Sequence, residues 1–273
     1  AAVTFARQGL KTANIGVVGR DFNGRAILEE LKKERIETKF FQIHDDDFTA
    51  YSIILVHPNG ERTILSYKGE GQHFDAGKVA FEKIKTDWFF VNSLGGRYEM
   101  LEKVFRHAEK NKIKVAMNPG GKELEHGLEK LRPFLEKTDI FIANKEELGG
   151  LIGIPPDQTG EILRRLKEIV RGIVILTDGP RGVIVKASDK TDYFAGVPDS
   201  PVVERTGAGD AFSSGFVSEY IRNGDIVKAI QFGTANASSV VTKFGAKAGI
   251  LKKGDWGPWP LVEVKHSSSS DNL

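Results

Sequence analysis

One stretch of this chain gathers residue types able to move a charged group. It is Glu204-Arg205-Thr206-Gly207-Ala208-Gly209-Asp210, followed by Ala211-Phe212-Ser213-Ser214-Gly215-Phe216. Gly207 and Gly209 let the backbone turn tightly and aim bare N–H groups at one spot. Phe212, Phe216 and Tyr220 recur at helical spacing, which predicts a helix starting here. Such a helix start, with open N–H groups and a positive dipole end, attracts anions, phosphate above all. Asp210 stands at the same end, where a carboxylate can take a proton from a nucleophile. An anion hole beside a base is equipment for group transfer. The plain structural reading is a helix capped by Thr206 after a glycine turn. The run lacks the Gly-Lys-Ser/Thr ending of a P-loop. Phe212 occupies the place of the third glycine of a dinucleotide fingerprint.

The elements that must position these residues alternate. Apolar, β-rich runs at 13–18, 88–91, 114–117, 140–143 and 172–177 predict strands. Helical patterns fall between them at 24–34, 98–111, 127–137 and 161–171. This alternation predicts βαβ units and a mainly parallel central sheet with helices on both faces, an α/β fold. Ligands of such sheets bind beyond the carboxyl ends of the strands. Asn118-Pro119-Gly120, Asn144 and Thr177-Asp178-Gly179 fall in those loops. Residues 49–57 and 61–67 flank Pro58-Asn59-Gly60, and Asn-Gly between two alternating runs predicts a hairpin. A hairpin has no partner in a parallel core, so it is expected to project. Asn144-Lys145-Glu146-Glu147 reads as an Asn N-cap with a Glu three residues on, a capping box. Thr177-Asp178-Gly179-Pro180-Arg181-Gly182 reads as a hairpin turn. Residues 1–10 read as the middle and end of a helix stopped by Gly9.

Taken in order, these motifs resemble the ribokinase-like carbohydrate kinases, also called the phosphofructokinase B type, from about Ala1 to about Gly249. The resemblance implies a three-layer α/β/α domain over 1–266 with a small β lid at about 49–67, ahead of a polar tail at 267–273. It implies Asp210 as catalytic base and Gly207, Ala208 and Gly209 as the anion hole for the transferring phosphoryl group. In the family an Asn-x-x-Glu motif supports magnesium and its waters, which points to Asn144 and Glu147. The Thr-x-Gly-x-x-Gly turn lies against the nucleotide, matching Thr177, Gly179 and Gly182. Asn236 and Phe244-Gly245-Ala246 resemble the adenine-side wall. The family normally has a first strand and a Gly-Gly-x-Asn sugar motif ahead of the point where this chain begins, so a longer natural protein is expected. Arg20 stands where an acidic residue is common. Glu204 stands where an aspartate often helps to hold a monovalent cation, and that cation is left open.

The expected activity is transfer of the γ-phosphoryl of ATP, with Mg2+, to a sugar hydroxyl. Ribose or fructose ranks above a nucleoside. A sugar phosphate stays open because Arg62, Lys68 and Arg97 could meet a phosphate. Asn118-Pro119 is not the Arg-bearing segment of 2-keto-3-deoxygluconate kinases, so that acceptor ranks lower. The alternatives are a nucleoside or vitamin kinase of the same fold, or a catalytically silent sugar- or nucleotide-binding regulator. An intact Asp210 argues against the last. Family lids often pair between subunits, so a homodimer through the hairpin is expected.

Composition bounds the partners. The chain has 273 residues, 40% hydrophobic and 28% charged, with a net charge of +2. Nothing there suggests nucleic acid or a membrane as partner. There are no cysteines, which excludes disulfides and thiolate metal sites and fits a cytoplasmic location. His44, His57, His73, His107, His126 and His266 lack the spacing of metal ligands. Asp45-Asp46-Asp47 reads as a solvated turn. No repeat or interdomain linker is visible.

Overall fold

The structure is a computed structural model that describes residues 1–45, 48–57, 62–69, 74–188 and 191–268. The backbone divides into two compact units. One is Ala1–Ala80 with Pro198–Leu261, and the other is Phe81–Val197 with Val262–Leu273.

The first unit opens with helix α1 (Ala2–Arg7), which stops where expected, at Gly9 with φ 82°. Strands β1 (Ala13–Gly19) and β2 (Glu37–His44) pair in parallel around helix α2 (Phe22–Lys33). Asp21 caps α2. Its Oδ1 accepts the Gly24 N–H at 2.7 Å, and its Oδ2 accepts the Thr49 N–H at 2.8 Å. The Thr49 hydroxyl donates to Asp21 Oδ1 at 2.7 Å and accepts the Gly19 N–H at 2.9 Å. One carboxylate therefore ties a helix start to the root of the next hairpin.

That hairpin is strands β3 (Tyr51–Val56) and β4 (Arg62–Tyr67), antiparallel from Tyr51↔Tyr67 to Val56↔Arg62. Its expected turn, Pro58-Asn59-Gly60, lies outside the described residues. Among those described, it joins no other strand. Every residue of β3 is exposed, Ile53 at 52% and Leu55 at 54%. An apolar ribbon bare on both faces is the projecting hairpin that the sequence predicts.

The second unit holds a seven-stranded sheet in the order β11-β10-β9-β8-β7-β6-β5. Strands β5 (Trp88–Val91), β6 (Lys114–Met117), β7 (Ile140–Asn144) and β8 (Ile173–Thr177) are parallel neighbours. Helices connect them: α3 (Tyr98–Asn111), then α4 (Gly121–Leu124) and α5 (Gly127–Leu135), then α6 (Lys145–Ile152) and α7 (Thr159–Lys167). Strands β9 (Val183–Ser188), β10 (Thr191–Ala195) and β11 (Val264–Ser268) extend the sheet with antiparallel pairs, so it is mixed. Strand β11 runs two residues into the stretch read as a polar tail, because the open edge of β10 accepts it through Asp192↔Ser267 and Thr191↔Ser268. Ile140 to Ala143 and Val174 to Leu176 are buried along their whole length. Strands buried on both faces need cover on each, which is the three-layer α/β/α arrangement.

The chain then returns to the first unit as α8 (Ala208–Asn223) and α9 (Ile226–Val241). Every residue of α8 from Ala211 to Glu219 is buried. The two helices meet at glycines. A Cβ on Gly215 would stand 3.1 Å from Gly233 Cα, and one on Gly233 would stand 3.0 Å from the Phe212 ring. Phe212, Phe216 and Tyr220 form a ladder with centroids 6.2 Å and 6.0 Å apart.

The Asp21 clamp gives a pH test. Burial alone would raise its carboxyl; the hydrogen bonds from the Gly24 N–H and from Thr49 outweigh it and lower the group from its ordinary value. Stability from a lowered carboxyl is present above the unfolded value and is lost as pH falls through the folded one. Asp21→Ala should cost about 1–2 kcal/mol at neutral pH. In thermal unfolding, its gap to wild type should shrink as the pH drops to about 2. A gap that stays constant would deny the clamp.

Candidate functional site

The expected site residues fall into two groups, one in each unit. In the first unit the group is built on the start of α8. Gly207 is the N-cap residue, in the left-handed region at φ 83°, and no side chain caps the helix. The plain capping reading of Thr206 therefore fails. Its Oγ1 is buried and has no hydrogen-bond partner among the described residues. The Ala208 N–H donates to Arg205 O at 3.3 Å, while no hydrogen bond from the Gly207 or Gly209 N–H is found among the described residues. Asp210 stands exposed in the first turn, and its backbone oxygen accepts the Ser214 hydroxyl at 2.6 Å.

Glu204 holds this turn in place. It is buried, and its two oxygens accept the Thr206 N–H at 3.0 Å and the Gly245 N–H at 3.1 Å. The turn and the Phe244–Ala246 segment are so fixed together. Gly207 packs on Ala246, where an added Cβ would stand 2.6 Å from the Ala246 Cβ. Gly245 and Ala246 are exposed beside Phe244, which is 72% exposed. Asn236 is fully buried. Its Nδ2 donates to Ala211 O at 2.8 Å and its Oδ1 accepts the Leu251 N–H at 3.0 Å.

In the second unit the group lies at the carboxyl ends of β7 and β8, where Asn144 pairs with Thr177. The capping box forms as the sequence predicts. Asn144 Oδ1 accepts the Glu147 N–H at 2.8 Å, and Glu147 Oε2 accepts the Asn144 N–H at 2.9 Å. Burial pushes the Glu147 carboxyl up from its ordinary value, against the lowering effect of the Asn144 N–H. A cation nearby would favour its charged form. Lys145 lies 3.1 Å from Asp178, and Arg181 donates to both Asp178 oxygens at 2.7 Å. Arg181 first, then Lys145, hold the Asp178 carboxyl below its ordinary value, against burial. Gly179 opens the turn at φ 52°. Gly182 closes it at φ 98°, where a Cβ would stand 2.0 Å from Ala195 O.

Several residues do more than their sequence position suggests. The roles of Asp21, Glu123 and Glu204 as acceptors of backbone N–H groups were not read from the sequence. For Glu123 a signal exists: Gly120 and Glu123 repeat the spacing of Asn144 and Glu147. Of the basic residues considered for a phosphate, Arg97 donates to Leu94 O at 2.8 Å, and the Arg62 side chain lies outside the described part. Asp45 pairs with Arg20 on the surface, while Asp46, Asp47 and His73 lie outside the described residues. Among the described residues no group of three acidic or histidine side chains is placed to cage a metal, and no helix is long and apolar enough to cross a membrane.

Known proteins match this arrangement. The family described as pfkB family carbohydrate kinase matches residues 1–253. An uncharacterized sugar kinase of Archaeoglobus fulgidus is 28% identical over 265 residues, covering 92% of this chain and 99% of its own. The ribokinase of Haemophilus influenzae is 28% identical, over 91% of this chain and 81% of its own. Among solved structures, the nucleoside kinase of Methanocaldococcus jannaschii superposes with a TM-score of 0.74 at 23% identity, over 91% of this chain and 80% of its own. An E. coli protein described as a ribokinase II, solved in complex with ATP and magnesium, superposes at 0.82 with 19% identity, over 91% and 82%. The chain belongs to the pfkB family of carbohydrate kinases, phosphotransferases whose acceptor is an alcohol group. Kinases of this family use ATP. The fold is the ribokinase-like one.

The Gly207–Ala246 contact predicts a coupled pair. Gly207→Ala adds a side chain to a left-handed residue and drives it into Ala246. It should destabilise by about 1–3 kcal/mol. Ala246→Gly in the same chain should recover part of that loss in chemical denaturation. Strict additivity would show that the two segments are not packed together.

Proposed function

We propose that this chain transfers the γ-phosphoryl of ATP to a hydroxyl of a sugar, with Asp210 as general base. Asp210 takes the proton of the acceptor hydroxyl. The freed oxygen forms its bond to the γ-phosphorus as the bond to the bridging oxygen breaks, and ADP leaves. The amides of Gly207 and Gly209, and that of Ala208 once it leaves its long 3.3 Å bond to Arg205 O, stabilise charge on the moving phosphoryl oxygens. The observation that carries this reading is the uncapped start of α8. Its turn is left-handed at Gly207 and braced by Glu204, and the Gly207 and Gly209 N–H groups have no hydrogen bond among the described residues. An ordinary helix cap would use those groups up.

Asn144, Thr177, Gly179 and Gly182 would meet the nucleotide from the strand ends of the second unit. In the first unit, Gly245, Ala246 and the packed Asn236 are the residues that the resemblance assigns to the adenine-side wall. The chemistry of the donors fits magnesium. One oxygen of Glu147 is occupied by the Asn144 N–H, which leaves the other for water on the ion. When bound with ATP, magnesium supplies charge neutralisation at the phosphates. The β3–β4 ribbon would cover the acceptor and exclude water, and its bare apolar faces favour pairing with a second copy. The acceptor would be ribose or fructose. The likeness to nucleoside kinases keeps a nucleoside as the second reading.

Asp210→Asn keeps the size of the side chain and removes the base. Sugar-dependent turnover should fall ~10²–10⁴-fold, with nucleotide affinity unchanged or tighter. Near-normal turnover in the folded variant would take Asp210 out of the reaction. Glu147→Gln should raise the magnesium concentration needed for half activity more than it raises the sugar KM. A lower melting temperature with ordinary magnesium dependence would leave Glu147 as a helix cap only.

A further inference from the structure

Among the described residues of the second unit, the most enclosed carboxylate belongs to Glu123, which is 0% exposed and has no part in the reaction above. Its Oε1 accepts the N–H of Leu94 at 2.9 Å and of Gly96 at 2.5 Å, and its Oε2 accepts the N–H of Gly120 at 2.9 Å. It thereby joins the loop after β5 to the loop after β6. The His126 ring donates to Gly96 O at 2.8 Å, and Arg97 donates to Leu94 O at 2.8 Å. The loops also touch directly. A Cβ on Gly120 would stand 2.6 Å from Ser93 Oγ. Gly95 and Gly96 both lie in the left-handed region, at φ 69° and 80°, so the loop is bent around the carboxylate.

Both loops sit on the carboxyl edge of the parallel strands, the edge where ligands of such sheets bind. Nucleotide loops proposed above follow β7 and β8. The neighbouring pair, after β5 and β6, is left for the other substrate, and Ser93 is exposed on it. We propose that Glu123 is a positioning residue for the alcohol acceptor: it locks two acceptor-side loops into one rigid surface without touching the substrate. This rests on the kinase reading above.

The test uses the full chain and two variants. Glu123→Gln keeps the shape but replaces an acceptor oxygen with a donor. Gly120→Ala keeps Glu123 and adds a Cβ that crowds Ser93 and stands 3.1 Å from Glu123 Oε2, which pushes the loops apart; Gly120 has φ −88°, which any residue adopts. Asp139→Asn is the control, because Asp139 accepts the Val115 N–H at 2.8 Å at the amino end of β7. The acceptor is whichever of D-ribose, D-fructose or adenosine supports ADP release by the wild type. Both test variants should raise its KM by about tenfold or more. Affinity for a non-hydrolysable ATP analogue should stay within about twofold. The control should lower the melting temperature and move neither constant. An unchanged acceptor KM in both folded variants, or an equal loss of nucleotide affinity, overturns the inference alone. A wild type that phosphorylates none of the three overturns the acceptor assigned above, and this inference with it. Should Glu123→Gln fail to fold, Gly120→Ala decides the matter by the same constants.

Discussion

Loops at the ends of strands and helices carry backbone N–H groups that the sheet cannot satisfy. In this chain carboxylates satisfy them, and much of the site geometry depends on that. Asp21 gathers Gly24 and Thr49, Glu123 gathers Leu94, Gly96 and Gly120, Glu147 takes Asn144, and Glu204 takes Thr206 and Gly245. A hydrogen bond to a charged acceptor is worth about 1.5–3 kcal/mol, roughly twice a neutral one. Each such bond offsets part of the entropy lost when a short loop is held still. Fixed loops are what group transfer needs, since charge in the transition state is best met by donors that need not move.

The two glycine-dependent features serve the same end by a different route. At Gly207 a left-handed turn starts the helix without a side-chain cap. Between α8 and α9, Gly215 and Gly233 bring the backbones close, so the helix bearing Asp210 cannot shift without opening the core. The contrast is the β3–β4 ribbon, exposed on both faces and rooted through Thr49 on Asp21. A close-packed helix pair and a ribbon with little packing differ in how readily each can move.

Much of this was legible in the sequence. Strands β5 and β6 and helix α3 have the bounds that hydrophobic periodicity predicts, because their buried positions are set by local pattern. The capping box at Asn144 and the hairpin were read from short spacing alone. Strand β2 was not, since its Glu37-Thr38-Lys39-Phe40-Phe41-Gln42 pattern is half-buried and broken by charge. Strand β11 was not, because Ser-rich residues become a strand only against the edge of β10. The helix start at Gly207 was visible, but its brace was not. Glu204 reaches an amide 41 residues away, and Glu123 reaches amides 27 and 29 residues away. No local spacing records such a partner.

Family membership makes the chain a phosphotransferase acting on an alcohol; the particular claim is that it moves a phosphoryl group from ATP to a sugar carbon's oxygen and not to water. Phosphorus NMR of the chain with ATP, magnesium and each of D-ribose, D-fructose and adenosine tests this directly. The account predicts that, with a sugar, the γ-phosphoryl signal is replaced by a phosphomonoester in step with ADP. Conversion of ATP to inorganic phosphate alone, whatever alcohol is present, would contradict it.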